Sequence, residues 1–256
     1  MRKPCLHIFA TTVACLGLAS CSAPCECPSE PASAESPIPA TPTPDLPKAV
    51  GRLHWFGKAS ILYTGSKMIY FDAENLSGGV PPAGFVLLSH SHHISLESLQ
   101  KVVKASTIVV ISPDVVDSYN LIKDRLKATA ATVLDEGETL ESDGVTIRAV
   151  AAYDETIHPR SNKGMGYVVT IDGERIYFAG GTNYYPEMAG IESDVALYPL
   201  YTPEDVAQTA KVLPTQVLIL IHCFPRDIES FQSKYGDSMG QLPIMGLALE
   251  SYNPWH

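Results

Sequence analysis

The sequence predicts an α/β fold, an αββα sandwich in which two β-sheets pack face to face with helices over both outer faces. Three observations carry this reading. Short β-branched or aromatic runs separated by turn residues open the domain. Continuous apolar runs, "GFVLLS" at residues 84–89 and "QVLILIHCF" at 216–224, read as buried strands. Each of two strand-rich halves then finishes in strand–helix alternation. At 256 residues, 45% hydrophobic and 18% charged, the chain supports one sizeable domain rather than two.

The opening "MRKPCLHIFATTVACLGLASC" stands apart from that domain. Arg2 and Lys3 give it a positive start, and the apolar run from Ile8 to Ala19 is too short to span a membrane comfortably. It ends in Leu18-Ala19-Ser20-Cys21, which resembles the lipobox of bacterial lipoproteins. The resemblance implies that residues 1–20 are a signal peptide and that Cys21 carries lipid. The chain would then sit in the bacterial cell envelope, on the periplasmic face of the outer or inner membrane or at the cell surface. Ser22 is compatible with outer-membrane sorting. An ordinary signal peptide with a chance cysteine is the plainer alternative.

Removing Arg2 and Lys3, and no acidic residue, takes the formal charge from −10 to −12. Such an acidic product is a poor partner for nucleic acid or anionic headgroups, so contact with the membrane would run through the lipid anchor alone. Cys25, Cys27 and Cys223 remain after processing, an odd number that excludes a complete disulfide framework. Cys25-Glu26-Cys27 reads either as a soft-metal ligand pair or as incidental, and Cys223 as a small core residue. Residues 21–50 form a tether: Ser22 to Val50 holds eight prolines in 29 residues and no aromatic, so it buries too little to offset its ordering entropy.

The domain spans residues 51–256. "RLHWF", "ASILYT" and "KMIYFD" are strands separated by Gly-Lys and Gly-Ser turns. After "GFVLLS", Ser95 to Lys104 has helical spacing with Ser95 as N-cap. "STIVVIS" is a buried strand and "VVDSYNLIKDRL" a helix. "GVTIRAVAAY", "GYVVTIDGERIYFAGG" and "SDVALYPL" are strands, with Asp172-Gly173 as a hairpin turn. "PEDVAQTAKVL" is an amphipathic helix opening on Pro203. "QVLILIHCF" is the last strand.

Histidines gather at the strand ends. In extended backbone His90 and His92 point to one side and His93 to the other. His158 lies in the loop "DETIHPRSNKG", and His222 ends "QVLILI". A lone His-x-His is weak evidence of a site. Recurrence of histidine at the tips of other buried strands points to a shared cleft and to zinc, which binds neutral imidazole. His7 leaves with the leader, His54 lies within the first strand and His256 is terminal.

These segments resemble the metallo-β-lactamase fold, particularly the branch that includes ascorbate-6-phosphate lactonase-like hydrolases, over about residues 51–225. "LHWFGKASILYTGSKMIYFDAE" is similar to the family's opening hairpins, and "VLLSHSHHISLESL" to its T-H-x-H-x-D-H motif and the helix after it. "GERIYFAGGTNYYPEM" resembles the strand ending in A-G-D-T, and "VLILIHCF" the terminal ligand histidine. The resemblance implies two mixed sheets and a metal-dependent hydrolase. It also exposes departures. Ile94 and Ser95 stand where the family has Asp-His, Gly181 where it has the bridging aspartate, and Lys58 where it has the histidine of G-H-A-S.

Two divalent ions about 3.5–4 Å apart repel strongly unless anionic ligands lie between them. Without the two carboxylates the expectation is at most one zinc or other divalent ion, or no metal at all. His90 and His92 would share it with a third ligand from the loop after "AVAAY", either His158 or Asp154. His222 would be a fourth ligand or a general base. Lys58 would oppose a dication or bind an anionic ligand. Asp72 would orient a histidine, and Tyr184 and Tyr185 would line the pocket mouth or its rim. Two functions follow. One is a protein that keeps the fold, is weakly catalytic or non-catalytic, and binds a small-molecule or anionic ligand or acts as an envelope scaffold. The other is a mononuclear zinc hydrolase of an ester, lactone or phosphoester-type substrate that uses His90, His92 and His158, with His222 and Lys58 assisting catalysis.

Overall fold

The computed structural model describes residues 45–128 and 130–249. The lipobox with Cys21, the tether up to residue 44, and His256 lie outside the described residues.

The first half of the chain builds a six-stranded sheet. β1 (Leu53–Trp55), β2 (Ile61–Thr64) and β3 (Met68–Phe71) pair antiparallel through two hairpins. β4 (Phe85–Leu88) then lies parallel to β3, α1 (Leu96–Val102) crosses over, and β5 (Ile108–Ile111) pairs parallel to β4. α2 (Val116–Asn120) leads to the parallel edge strand β6 (Ala131–Val133). The order is β1-β2-β3-β4-β5-β6.

The second half repeats this plan. β7 (Thr139–Ser142), β8 (Val145–Ala151), β9 (Met165–Ile171) and β10 (Glu174–Phe178) form an antiparallel meander. Parallel strands β11 (Val195–Pro199), β12 (Val217–Ile221) and β13 (Ile244–Gly246) follow, separated by α3 (Pro203–Val212) and α4 (Pro225–Tyr235). The meander's two-residue turns follow from residue type. Asp143-Gly144 and Asp172-Gly173 have φ of 51° and 78°, and of 53° and 82°, the left-handed pair that hairpins of this length require.

Because side chains alternate along a strand, each sheet has two apolar faces to cover. Ile61, Tyr63, Ile69 and Phe71 meet Ile147, Tyr167, Val169 and Phe178 between the sheets. There the rings of Phe71 and Phe178 stack at 5.0 Å. On the first sheet's outer face Tyr70, Val86 and Leu88 pack under Leu99 and Val102 of α1 and Tyr119 of α2. On the second, Tyr177, Tyr198 and Leu220 pack under Val206 of α3 and Ile228 and Phe231 of α4. This is the αββα sandwich of two mixed sheets.

Two local differences have physical reasons. "VVDSYNLIKDRL" is α-helical only to Asn120, with a 3-10 turn at Lys123–Arg125; Leu121 is 84% exposed, and Ile122 and Leu126 reach the core from either side of that turn. The sequence pattern also gives no sign of β6, β7, α4 and β13. β6 and β7 have no buried residue, α4 buries only Ile228 and Phe231 of its eleven residues, and β13 is three half-buried residues, so none carries a strong apolar pattern.

Candidate metal centre

β4 delivers Ser89 and His90 in extended conformation, and Ser91–His93 then form a 3-10 turn. Asp114 secures that turn by accepting the Ser91 amide at 2.7 Å. The extended backbone expected through His92 is therefore absent, with one consequence for the histidines. A helix of three residues per turn puts i and i+3 on one side. His93 does not point away; its ring meets His90 edge-on at 4.5 Å.

The loop after β8 is organised by Asp154. Its Oδ1 accepts the amides of Thr156 and Ile157 at 2.8 and 2.7 Å, and its Oδ2 accepts that of His158 at 3.1 Å. The Asp154 amide in turn donates to the His158 carbonyl at 2.9 Å. Asp154, the alternative ligand, spends its carboxylate on this loop. The side chain the loop presents is His158.

His90, His92 and His158 come together. One donor nitrogen from each lies within 4.8 Å of the other two, and His158 is 4.5 Å from His90 and 4.9 Å from His92 between ring centroids. His90 is buried, His158 half-buried and His92 exposed. Behind His90 runs a hydrogen-bonded chain. The Asp72 carboxylate accepts the Ser89 amide at 2.7 Å and its hydroxyl at 2.5 Å, and Ser89 Oγ lies 2.6 Å from His90 Nδ1. With its proton given to Asp72, Ser89 Oγ accepts from His90 Nδ1–H. That fixes the tautomer and leaves Nε2 with a bare lone pair. His90 Nε2 is buried and has no hydrogen-bond partner.

Burial, reinforced by His93, His158 and His92, pushes the His90 imidazolium down to about 2, so the ring is neutral. Burial likewise lowers His158. A neutral imidazole with an unpartnered nitrogen facing two others is the donor set a zinc-like ion takes. The residues fit one ion.

Gly181 is part of the fit. A Cβ there would stand 3.0 Å from His158 Cδ2 and 3.1 Å from His90 Cε1, so the glycine leaves the imidazoles room to approach. Ile94 does not enter this space. It packs against the apolar cluster beneath α1, and Ser95 caps that helix by accepting the Ser98 amide at 3.2 Å.

A second group adjoins the first. Lys58 Nζ lies 2.8 Å from Glu74 Oε1, and Glu74 Oε2 lies 2.5 Å from His93 Nδ1. Burial would raise the Glu74 carboxyl, but hydrogen bonds from Lys58 and His93 outweigh it and hold it below the ordinary value. His222 joins this group and not the trio of donors. Its backbone is left-handed, with φ of 59°, and its amide donates to the Lys58 carbonyl at 3.0 Å. Its ring meets His93 at 5.6 Å and Tyr201 at 5.1 Å. His222, expected as a fourth ligand or a general base, lies one ring beyond the three donors. Tyr184 and Tyr185 pack on the second sheet's outer cluster. Tyr185 is buried, donates to the Ala151 carbonyl and stacks on Tyr153, while Tyr184 packs in the same outer cluster of the second sheet. Ser89, Glu74, Asp114 and Tyr201 carry no sign in the sequence of their place here, except that the polar "DAE" ending of β3 points to Glu74.

A sequence profile of the beta-lactamase superfamily domain matches residues 68–223, more than half of the chain. The chain belongs to the beta-lactamase superfamily. Among relatives, a UPF0173 metal-dependent hydrolase of Thermococcus kodakarensis is 27% identical over 210 residues, 73% of this chain and 92% of its own length. One from Listeria welshimeri is 29% identical over 181 residues, 65% of this chain and 78% of its own. In three dimensions the chain is similar to a protein of Parabacteroides distasonis assigned as a metal-dependent hydrolase. That match has a TM-score of 0.67 and 25% identity, and covers 77% of this chain and 93% of the other. A metallo hydrolase of Ignicoccus hospitalis shares the fold with a TM-score of 0.59 and 21% identity, over 76% and 94% of the two chains.

Proposed function

We propose that the protein is a mononuclear metal-dependent hydrolase of an ester, lactone or phosphoester-type substrate, held in the cell envelope by lipid on Cys21. The observation that carries this reading is His90 Nε2, a buried nitrogen without a partner, facing His92 and His158. A divalent ion held by these three would supply Lewis acidity and ease the deprotonation of water near neutral pH. The chain's own residues do the rest. Asp72 and Ser89 hold His90 in the tautomer that keeps Nε2 free. His222, kept neutral by burial and by the neighbouring His93, is the proton acceptor beside the centre. Lys58, steadied by Glu74, offers a positive charge to an anionic group of the substrate.

A second reading rests on the donor set itself. Among the described residues no carboxylate joins the three histidines, and the rings of His158 and His90 crowd the place where a side chain at residue 181 would enter. On that reading the centre binds a metal or ligand with little or no turnover, and the protein serves as an envelope binding or scaffold lipoprotein.

Metal content of untagged protein, measured beside a panel of nitrophenyl esters, lactones and phosphodiesters, separates the readings. About one equivalent of zinc, lost with hydrolysis on His92→Ala, is the expected result. One equivalent without turnover on any substrate leaves the second reading. Two tightly held equivalents overturn the mononuclear centre.

A further inference from the structure

Beside His222 and Lys58 the surface opens into a pocket of about 410 Å³, within the range of small-molecule sites. Its walls are Trp55, Phe224, Pro225 and Leu249. Trp55 is buried to 4% exposure and its indole N–H donates to the Lys58 carbonyl at 2.8 Å. The polar atom of its ring is satisfied, and the pocket meets an apolar surface. Phe224 and Leu249 are 64% and 66% exposed, an uncommon state for large apolar side chains that flank one cavity. Leu249 is fixed there by a bridge to Trp55 and lies over Gly57, whose φ of 96° favours glycine.

The polar features lie at one end. The Lys58 side chain is 53% exposed and its ammonium is held by Glu74. His222 lines the same wall and leads through His93 to His90. A ligand that satisfies this layout has an apolar tail for the pocket and an anionic or carbonyl head for Lys58 and His222.

We propose that this pocket is an acyl-chain site, which receives the straight hydrocarbon portion of a carboxylic ester or carboxylate and sets its head toward the histidines. The binding claim stands on the pocket alone, and its part in turnover rests on the hydrolase reading above. An alkyl chain entering such a pocket gains about fourfold in affinity per methylene removed from water, whereas a ligand held only by its head gains nothing with length.

The test is calorimetric titration of the zinc-loaded protein with straight-chain carboxylates from four to ten carbons, below their micellar concentrations. The head is constant, so the slope with length isolates the chain. Affinity should rise about fourfold per methylene until the pocket is filled. Because Phe224 and Leu249 are exposed, the double variant Phe224→Ala, Leu249→Ala should fold as the parent does, checked by its unfolding midpoint. It should flatten the slope and lose at least tenfold in affinity for the longest acid. Phe224→Leu, which restores apolar bulk, should recover most of the slope. Equal affinity at every length, or a slope unchanged in the double variant, overturns the acyl site. Nitrophenyl esters of the same acids keep the two proposals distinguishable. A binding slope without ester hydrolysis leaves the pocket standing and removes the hydrolase, and hydrolysis indifferent to length, with no binding slope, does the reverse.

Discussion

Ser89 has a single oxygen to give, and its position determines the state of His90. The hydroxyl sits 2.5 Å from Asp72 and 2.6 Å from His90 Nδ1, relaying the carboxylate to a ring whose nearest direct approach to it is 3.9 Å. Replacing it by alanine removes the relay while the Asp72 contact to the Ser89 amide persists. Ser89→Ala should therefore leave the fold intact and weaken zinc binding by 10–100-fold, the usual cost of losing a group that orients a ligand histidine. Competition with a chromophoric chelator measures this, and an unchanged affinity would mean that packing alone orients His90. The residues of the centre were unevenly legible. Histidines announce themselves by type, and His90, His92 and His158 follow from their places at strand tips. Ser89 and Glu74 are ordinary polar residues whose roles arise from register. The parallel pairing of Phe71 with Leu87 sets Asp72 beside Ser89, 17 positions along the chain. His93 was misplaced because a three-residue turn replaced extended backbone, a change no side-chain pattern records.

Secondary-structure elements were legible where burial is two-sided. β4, β5, β11 and β12 are runs of apolar residues, mostly Val, Ile and Leu, covered by helices on one face and the opposite sheet on the other, so composition alone marks them. The links between elements are harder to read, and the Asp172 turn shows why. As a hairpin signal it is plain; as a latch between the sheets it is invisible in sequence. Asp172 Oδ2 receives the Ser66 amide at 3.0 Å and the Tyr63 hydroxyl at 2.9 Å, both from the β2–β3 hairpin of the opposite sheet, and the Arg52 guanidinium at 2.6 Å, from the 3-10 turn before β1. Gly65 has no Cβ to collide with that carboxylate and the Tyr63 ring. Asp172→Ala should cost about 1–3 kcal/mol in urea unfolding, in the range of hydrogen bonds to a charged acceptor. The bonds from Ser66, then that from Tyr63 and the charge of Arg52, hold the carboxyl below its ordinary 3.8. A depressed folded value means that the unfolded chain takes up the proton first. The latch therefore contributes fully above about pH 4 and fades as pH falls through the folded value. The gap between parent and variant should close in acid, and a gap constant with pH would show that the carboxylate's charge is not what the latch uses.

At the scale of the whole molecule, the three donors come from different layers. His90 and His92 follow β4 of the first sheet, whereas His158 follows β8 of the second, and the two sheets otherwise meet through side-chain packing, backbone bonds such as that from the Met165 amide to the Ser89 carbonyl, and latches such as Asp172. An ion shared by these loops is bound by the folded sandwich and not by a chain in which the sheets have come apart. Binding should therefore act as folding free energy, about 4 kcal/mol at a free zinc concentration 1,000 times the dissociation constant. For a domain of this size each kcal/mol moves the midpoint by about 2–4 °C, so saturating zinc should raise the melting temperature by about 10 °C. His158→Ala removes the only donor from the second sheet, so zinc should lose most of that effect even though His90 and His92 remain on one turn. His54, in β1 and hydrogen-bonded to Thr64, serves as the control, and His54→Gln should keep the full zinc response. If His158→Ala melts later with zinc by the same margin as the parent, the ion is held by the β4 turn alone and does not join the sheets. In that case the two halves are held together by their apolar faces whether or not the centre is filled.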